Sequence, residues 1–463
     1  MKIVKEKAFY FSILSIAIPI ALQNFITFAN SMLDSIMLGL VDETDVLLSA
    51  STLANQPFFI LSMICFGLSG GATVLSAQYW GKGDTAAIRR ILAMILQLAG
   101  AVSLLLGLAV LLLPEQILSL YSNQPEIIEA GAEYLRIMGY AYVLFGLSNT
   151  MICAIRSVEL VRISVVVNIV SCVTNAFLNW VLIFGNLGAP KLGIRGAAIA
   201  SLTARVLEFL ITFLYIFCID KRLGFRPRHL FRFDRVLFRD LVVNGTPVLC
   251  NEVLWALGTT LQASLLGHID YSAGNPVAAN SIASMVQQLS TVVIFGIANA
   301  AAVLVGKSIG EGNKKEAELR AHTLRYLSYV VGLLACGIIL LLRNVAVDFY
   351  NIPQASKDLA RDLMVVVAFV TFFVSVSATS IVGILRGAGD TRFCLVSEMT
   401  SLWLVALPAA FLAAFVFHWP VPVVLLCMKL DEPLKCLMCI LRMRTDKWMR
   451  SLTRDFDPSL QNA

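Results

Sequence analysis

Charge is scarce in this sequence. Asp, Glu, Lys and Arg make up only 14% of its 463 residues, against about 25% in a soluble domain. Histidine is scarcer still: the four copies, His229, His268, His322 and His418, all fall near the ends of apolar runs or between them. That leaves no histidine for a catalytic constellation inside those runs, so no enzymatic centre is expected. No glycine-rich P-loop pattern occurs, which argues against a self-contained ATP-driven pump. By number alone the ten cysteines would suggest a disulfide framework, but none is expected. Most lie within apolar runs, as Cys65, Cys172, Cys250 and Cys336 do, and read as small buried hydrophobes. Cys436 and Cys439 have a CxxC spacing but no second pair, so no metal or other resident cofactor is expected.

What remains is apolar. Hydrophobic residues make up 58% of the chain, more than the interior of a water-soluble globule of this size can hide. A membrane-spanning helix needs about 20 mostly apolar residues. Twelve such runs are present, at 10–40, 50–78, 91–113, 132–154, 163–185, 194–218, 241–266, 276–305, 323–342, 359–384, 393–416 and 420–441. Continuous runs without strict alternation predict helices rather than barrel strands. The last run is the weakest, because Lys429, Asp431 and Glu432 interrupt it. The basic start and apolar run at the N-terminus continue past the length of a signal peptide, and they read as a retained first span.

Basic residues fix the expected orientation. With the N-terminus inside, inner loops and tails carry 27 Lys and Arg, and outer loops carry five. Both termini are therefore expected in the cytoplasm. The +6 net charge is mainly a topology signal and needs no nucleic-acid partner. The most basic segment, "KRLGFRPRHLFRFDRVLFRD" (Lys221–Asp240), reads as an inner-face linker with some amphipathic helix lying on anionic lipid. It divides the chain into an N-lobe at 1–218, a linker at 219–240, a C-lobe at 241–441 and a cytoplasmic tail at 442–463.

The two lobes repeat one another. "FGLSGGATVLSAQYWGKGD" (Phe66–Asp84) returns as "FGIANAAAVLVGKSIGEGN" (Phe295–Asn313) at an offset of 229, with seven of 19 positions identical. Pro19 and Pro247 are offset by 228, and "IRSVELVR" (Ile155–Arg162) and "LRGAGDTR" (Leu385–Arg392) by 230. Three anchors at nearly one offset indicate duplication. Six spans per lobe give both lobes the same orientation, related by a pseudo-twofold axis along the membrane normal. The expected fold is all-α: twelve transmembrane helices in two six-helix bundles. In the repeated stretch, Gly81-Lys82-Gly83 is expected to end its helix and turn the chain.

An ionisable side chain in the bilayer costs about 2.5–3.5 kcal/mol at a helix centre on insertion scales, so it marks an interior cavity. Two acids stand out, Asp34 in the first span and Glu252 in the seventh. The repeat sets Asp34 opposite Gln262 and Glu252 opposite Asn24, so the acids are not duplicated with the backbone. The fifth span carries Asn168, Asn175 and Asn179 on one helical face. Their amides are either interhelical glue or oxygen donors for a small hard cation.

These residues resemble the multidrug and toxic compound extrusion (MATE) family, part of a larger group that also holds lipid-linked sugar flippases. The resemblance is carried by Pro19 with "LDSIMLG", "AQYWGKGD", "NAFLNWVLIFG" with "LGIRGAAIAS", "PVLCNEVLW" and "LRGAGDTR", in order along essentially the whole chain. It implies a plasma-membrane antiporter, working as a monomer among membrane lipids, that exports small organic, often cationic, compounds in exchange for Na⁺ or H⁺. The family's cation site maps onto Asp34, Asn175, Asn179 and Ser201, with Asp34, Asn175 and Asn179 as Na⁺ ligands if the ion is sodium. Its seventh-helix acid, implied to attract or orient substrate, maps onto Glu252. The chain departs from the family pattern by having no acid in "VVVAFVTFFVSVSATSIVGIL" of the tenth span, and by Asn179 where other members have Asp. The alternative is a lipid-linked oligosaccharide flippase. It would want a basic cavity, and here the basic residues cluster at inner loops, with Arg205 as an exception.

Overall fold

The structure is a computed structural model, and it describes residues 3–41, 46–231, 233–269, 275–348 and 353–454. The acidic stretch at 42–45, Lys2, Arg232 and the residues beyond 454 lie outside them. Among the described residues, eleven helices are long and apolar enough to cross a membrane. They are α1 (Lys7–Gly39), α2 (Val46–Lys82), α3 (Thr85–Leu112), α4 (Pro125–Ser157), α5 (Arg162–Leu182), α6 (Ile194–Ile219), α7 (Arg235–Gly267), α8 (Pro276–Gly310), α9 (Lys314–Asp348), α10 (Gln354–Leu385) and α11 (Thr391–Val416). Large apolar side chains cover their outer faces: Phe11, Leu105, Leu112 and Leu341 are between 68% and 81% exposed. Water would make that surface costly, and lipid does not.

The twelfth predicted span is present as two segments rather than one helix, α12 (Val421–Met428) and α13 (Asp431–Met443). The charged residues that interrupt the run explain the break. Gln262 of α7 donates to the Met428 carbonyl (2.8 Å) and accepts from Lys429 Nζ (3.3 Å), so the backbone group freed by the break finds a partner. Asp431 and Glu432 then begin α13, where carboxylates suit the positive end of a helix dipole. Gln262, the repeat counterpart of Asp34, is thus occupied as a clip.

Contacts divide the chain into two compact units. One comprises residues 22–76 and 84–242, the other 1–21, 77–83 and 243–463. The first has a core around Leu61, Cys65, Leu135, Tyr142 and Ile183. In its basic linker the helix α7 begins only at Arg235, and no α-helix precedes it among the described residues from Lys221 onward. Gly224, at φ +56°, and Pro227 stop a helix, and the short 3-10 turn Pro227–Phe231 is tied to α3. Gln97 donates to the Leu230 carbonyl (2.5 Å), and Arg90 pairs with Asp234 (2.9 Å).

The second unit has its own core, around Ala283, Leu363, Met364, Val424 and Leu425. It also contains the physical reason for the repeated stretch. A Cβ on Gly81 would lie 2.0 Å from the Lys307 carbonyl oxygen, and a Cβ on Gly310 would lie 1.9 Å from that of Gln78. Gly310 is the repeat counterpart of Gly81, and Lys307 that of Gln78, so the ends of α2 and α8 meet through the same residues from each copy. The next glycines, Gly83 (φ +80°) and Gly312 (φ +77°), turn the chain in the left-handed region. Asp84 and Asn313 then cap the following helices, accepting from Ala87 N (2.9 Å) and Glu316 N (3.2 Å). The turn expected of Gly81-Lys82-Gly83 is therefore made by Gly83, while Gly81 makes the close approach.

The tail is stitched to the same place. Gln78 donates to the Arg450 carbonyl (3.1 Å) and accepts from Leu452 N (2.8 Å). The fully buried Asp390 accepts from Arg442 Nε (2.7 Å) and pairs with Arg450 (3.3 Å).

Candidate functional site

Four residues from three helices of the first unit form a continuous polar chain. Asn179 Nδ2 donates to Asp34 Oδ1 and, at 3.0 Å, to Asn175 Oδ1. Asn175 Nδ2 in turn donates to Ser201 Oγ at 3.1 Å. The i, i+4 spacing of the two asparagines stacks them on one face of α5, and both are buried. Asn168 does not join them: it bonds back to the Ser164 carbonyl on its own helix (2.8 Å). Asn179 spends both interactions through its nitrogen, so its Oδ1 is buried with no hydrogen bond. Asn30 Oδ1, one turn before Asp34 on α1, is likewise buried and unsatisfied. Such groups call for an explanation, because an unmet buried acceptor costs about 1–3 kcal/mol.

Asp34 has no salt-bridge partner among the described residues. The nearby guanidinium is otherwise engaged. Arg205 pairs with Glu208 (2.7 Å) and lies over the rings of Phe58 (5.5 Å) and Phe145 (5.1 Å). Glu208, itself buried, accepts a second bond from Ser148 Oγ (2.9 Å). Sequence reasoning missed Glu208, although its position three residues after Arg205 in an apolar span was a legible sign of a local pair. It also missed the buried Tyr134, whose hydroxyl donates to Asn55 Oδ1 at 3.5 Å. The result is one uncompensated carboxylate facing neutral amide and hydroxyl groups. Oxygens of this kind suit a proton or a small hard cation. Asp34, Asn175, Asn179 and Ser201 are the residues that would hold it.

Glu252 is placed differently. It lies on α7 in the second unit and forms a 2.8 Å salt bridge with Arg386, whose side chain is 8% exposed. Arg386 Nε and Nη2 are buried without hydrogen bonds, so Glu252 is the group that compensates this cation. Removing one member of a buried pair costs more than removing both. Arg386→Met is expected to lower stability by about 3 kcal/mol, and adding Glu252→Gln should restore most of it. Thermal unfolding of the two variants in detergent measures the difference; equal losses would show that the pair is not coupled.

The family model MatE matches twice, at residues 19–181 and 247–412. The two matches begin at Pro19 and Pro247, the same prolines that mark the internal repeat. The multidrug resistance protein PmpM of Pseudomonas aeruginosa is 27% identical over 403 residues, covering 86% of this chain and 83% of its own. A probable multidrug resistance protein NorM of Bradyrhizobium diazoefficiens is 31% identical over 414 residues, covering 87% and 86%. The crystal structure of the eukaryotic MATE transporter AtDTX14 superposes with a TM-score of 0.82 at 18% identity, covering 96% of this chain and 97% of that one. That likeness establishes a shared fold. With both halves matched and relatives aligned over most of their length, this multi-pass membrane protein belongs to the MatE family, the multidrug and toxic compound extrusion proteins that its motifs resemble.

Proposed function

We propose that the protein is a plasma-membrane antiporter that exports organic, cationic compounds by alternating access, exchanging them for H⁺ or Na⁺ at Asp34. Its relatives PmpM and NorM are named multidrug resistance proteins, and this supports the substrate class. One observation carries the coupling: Asp34 is bonded to Asn179 and has no counter-cation among the described residues, beside a buried amide oxygen that has no partner.

The chemistry works with either ion. A proton on Asp34 converts an acceptor into a donor, and Asn179 Oδ1 is the acceptor left over. A sodium ion would draw on Asp34, Asn179 and Asn175 oxygens and the Ser201 hydroxyl. Either event removes a negative charge from the first unit's interior, which weakens its hold on a cationic compound and favours release outward. The membrane potential adds about 2.3 kcal/mol per charge per 100 mV to inward cation movement.

The test is transport in proteoliposomes, with a Na⁺ gradient and a pH gradient imposed separately. One of the two is expected to drive uptake of a cationic dye against its concentration. Uptake that is indifferent to both gradients would remove ion coupling from this reading.

A further inference from the structure

The second unit contains a buried knot of charge that the proposed exchange at Asp34 does not use. Lys435 Nζ on α13 lies 2.8 Å from Glu432 Oε1, 2.9 Å from Asp431 Oδ2 and 3.5 Å from Glu398 Oε1. The side chains of Lys435, Glu398 and Asp431 are between 5% and 6% exposed. The three acids are not equivalent. Glu432 has Lys435 and also accepts from Ser377 Oγ of α10. Asp431 has Lys435 and stands with Glu432 in the first turn of α13, where the helix dipole favours negative charge.

Glu398 has neither advantage. It comes from a different helix, lies well inside α11, and its Oε1 is buried without a hydrogen bond, with the Lys435 ammonium 3.5 Å away as its one ion-pair partner among the described residues. If every group were ionised, three carboxylates would share one ammonium. The surplus negative charge would sit in a medium where an uncompensated ion is far more costly than a neutral acid. The thiols of Cys394 on α11 and of Cys436 and Cys439 on α13 also surround the knot, and Arg386 and Asp390 stand beside Cys394. The thiols supply no positive charge, Arg386 is paired with Glu252 and Asp390 with Arg442, and α10 contributes the uncharged Ser377. No set of three acid, cysteine or histidine side chains among the described residues could hold a metal ion, so the missing positive charge is not expected to be a chelated metal.

We infer that Glu398, with Asp431, Glu432 and Lys435, forms a second proton-binding site, in the C-terminal half of the chain. The proton rides on Glu398, comes from water and returns to it. Its binding removes one unit of the surplus charge beside the break between α12 and α13. The site rests on this geometry alone and stands whether or not Asp34 couples transport.

The test is infrared spectroscopy of the full-length protein in lipid vesicles, titrated with pH. A carboxylic-acid C=O band is expected that shifts in D₂O, loses intensity as the pH rises, persists in Asp34→Asn and is absent from Glu398→Gln. Labelling every glutamate with ¹³C in the unmutated protein gives the same test without a substitution: the titrating band should shift as a glutamic acid band does. The inference is overturned by the absence of any such band, by an unshifted band after labelling, by an unchanged band in Glu398→Gln, or by a band constant at every pH where the protein is folded.

Discussion

Asp34→Asn is expected to abolish ion-driven export while leaving the protein folded. Asn has the same shape as Asp, and its carbonyl oxygen can still accept from Asn179, so the polar chain to Asn175 and Ser201 survives. What disappears is the only oxygen in that chain able to change charge. A hydrogen bond or contact to a charged group is worth about 1.5–3 kcal/mol, which corresponds to roughly a tenfold to hundredfold loss of cation affinity. Ethidium efflux from a drug-sensitive, efflux-deficient host should fall to the level of cells without the protein, with expression and unfolding temperature unchanged. Asn168→Ala is the control. Asn168 shares the α5 stripe but bonds only to its own helix in the structure, so its loss should leave efflux nearly intact. Undiminished efflux in Asp34→Asn, or equal losses at both positions, would remove Asp34 from the mechanism.

Gly81→Ala and Gly310→Ala are expected to reduce the yield of folded protein sharply. In each case the added methyl group would meet a backbone carbonyl of the opposing helix, at 2.0 and 1.9 Å, and a backbone atom in a packed helix cannot swing aside. Overpacking typically costs about 1–3 kcal/mol, and here two whole helices would have to separate. Gly83→Ala provides the comparison. Gly83 has a positive φ that disfavours any side chain, worth about 1–2 kcal/mol, yet a Cβ there meets nothing within 4 Å. The close approach predicts that Gly81→Ala is the more damaging change, whereas backbone conformation alone predicts the reverse. Size-exclusion recovery and unfolding temperature of the three variants decide between them.

Much of this fold is legible in the residues because lipid imposes a simple rule: long apolar runs must be helices. The rule locates eleven spans and flags the twelfth as irregular, but it does not say how the irregularity is resolved. That depends on Gln262 reaching the Met428 carbonyl from α7, a contact between positions 166 residues apart. The polar chain was legible in part. Asn175 and Asn179 announce one face of α5, and the family resemblance supplies Ser201, but only the packing shows which atoms donate and that Asn179 Oδ1 is left over. Glu208 and Glu398 went unread because an acid inside an apolar run looks the same whether it is paired or bare. Arg205 absorbs the first, while Lys435 only approaches the second. Glu252 teaches the converse: it reads as a lone acid on α7, yet Arg386 of the repeated "LRGAGDTR" motif neutralises it across 134 positions.

The reciprocal seating of Gly81 on Lys307 and Gly310 on Gln78 also bears on the chain's history. A contact in which each copy offers the same glycine to the same carbonyl is the signature of a symmetric homodimer. A half-length ancestor would have made it twice over between two separate polypeptides, with one residue type serving at both sites. Once gene fusion made the partners covalent, the two positions were released from having to match themselves. One is a lysine here, and the other a glutamine that anchors the segment at Arg450 and Leu452.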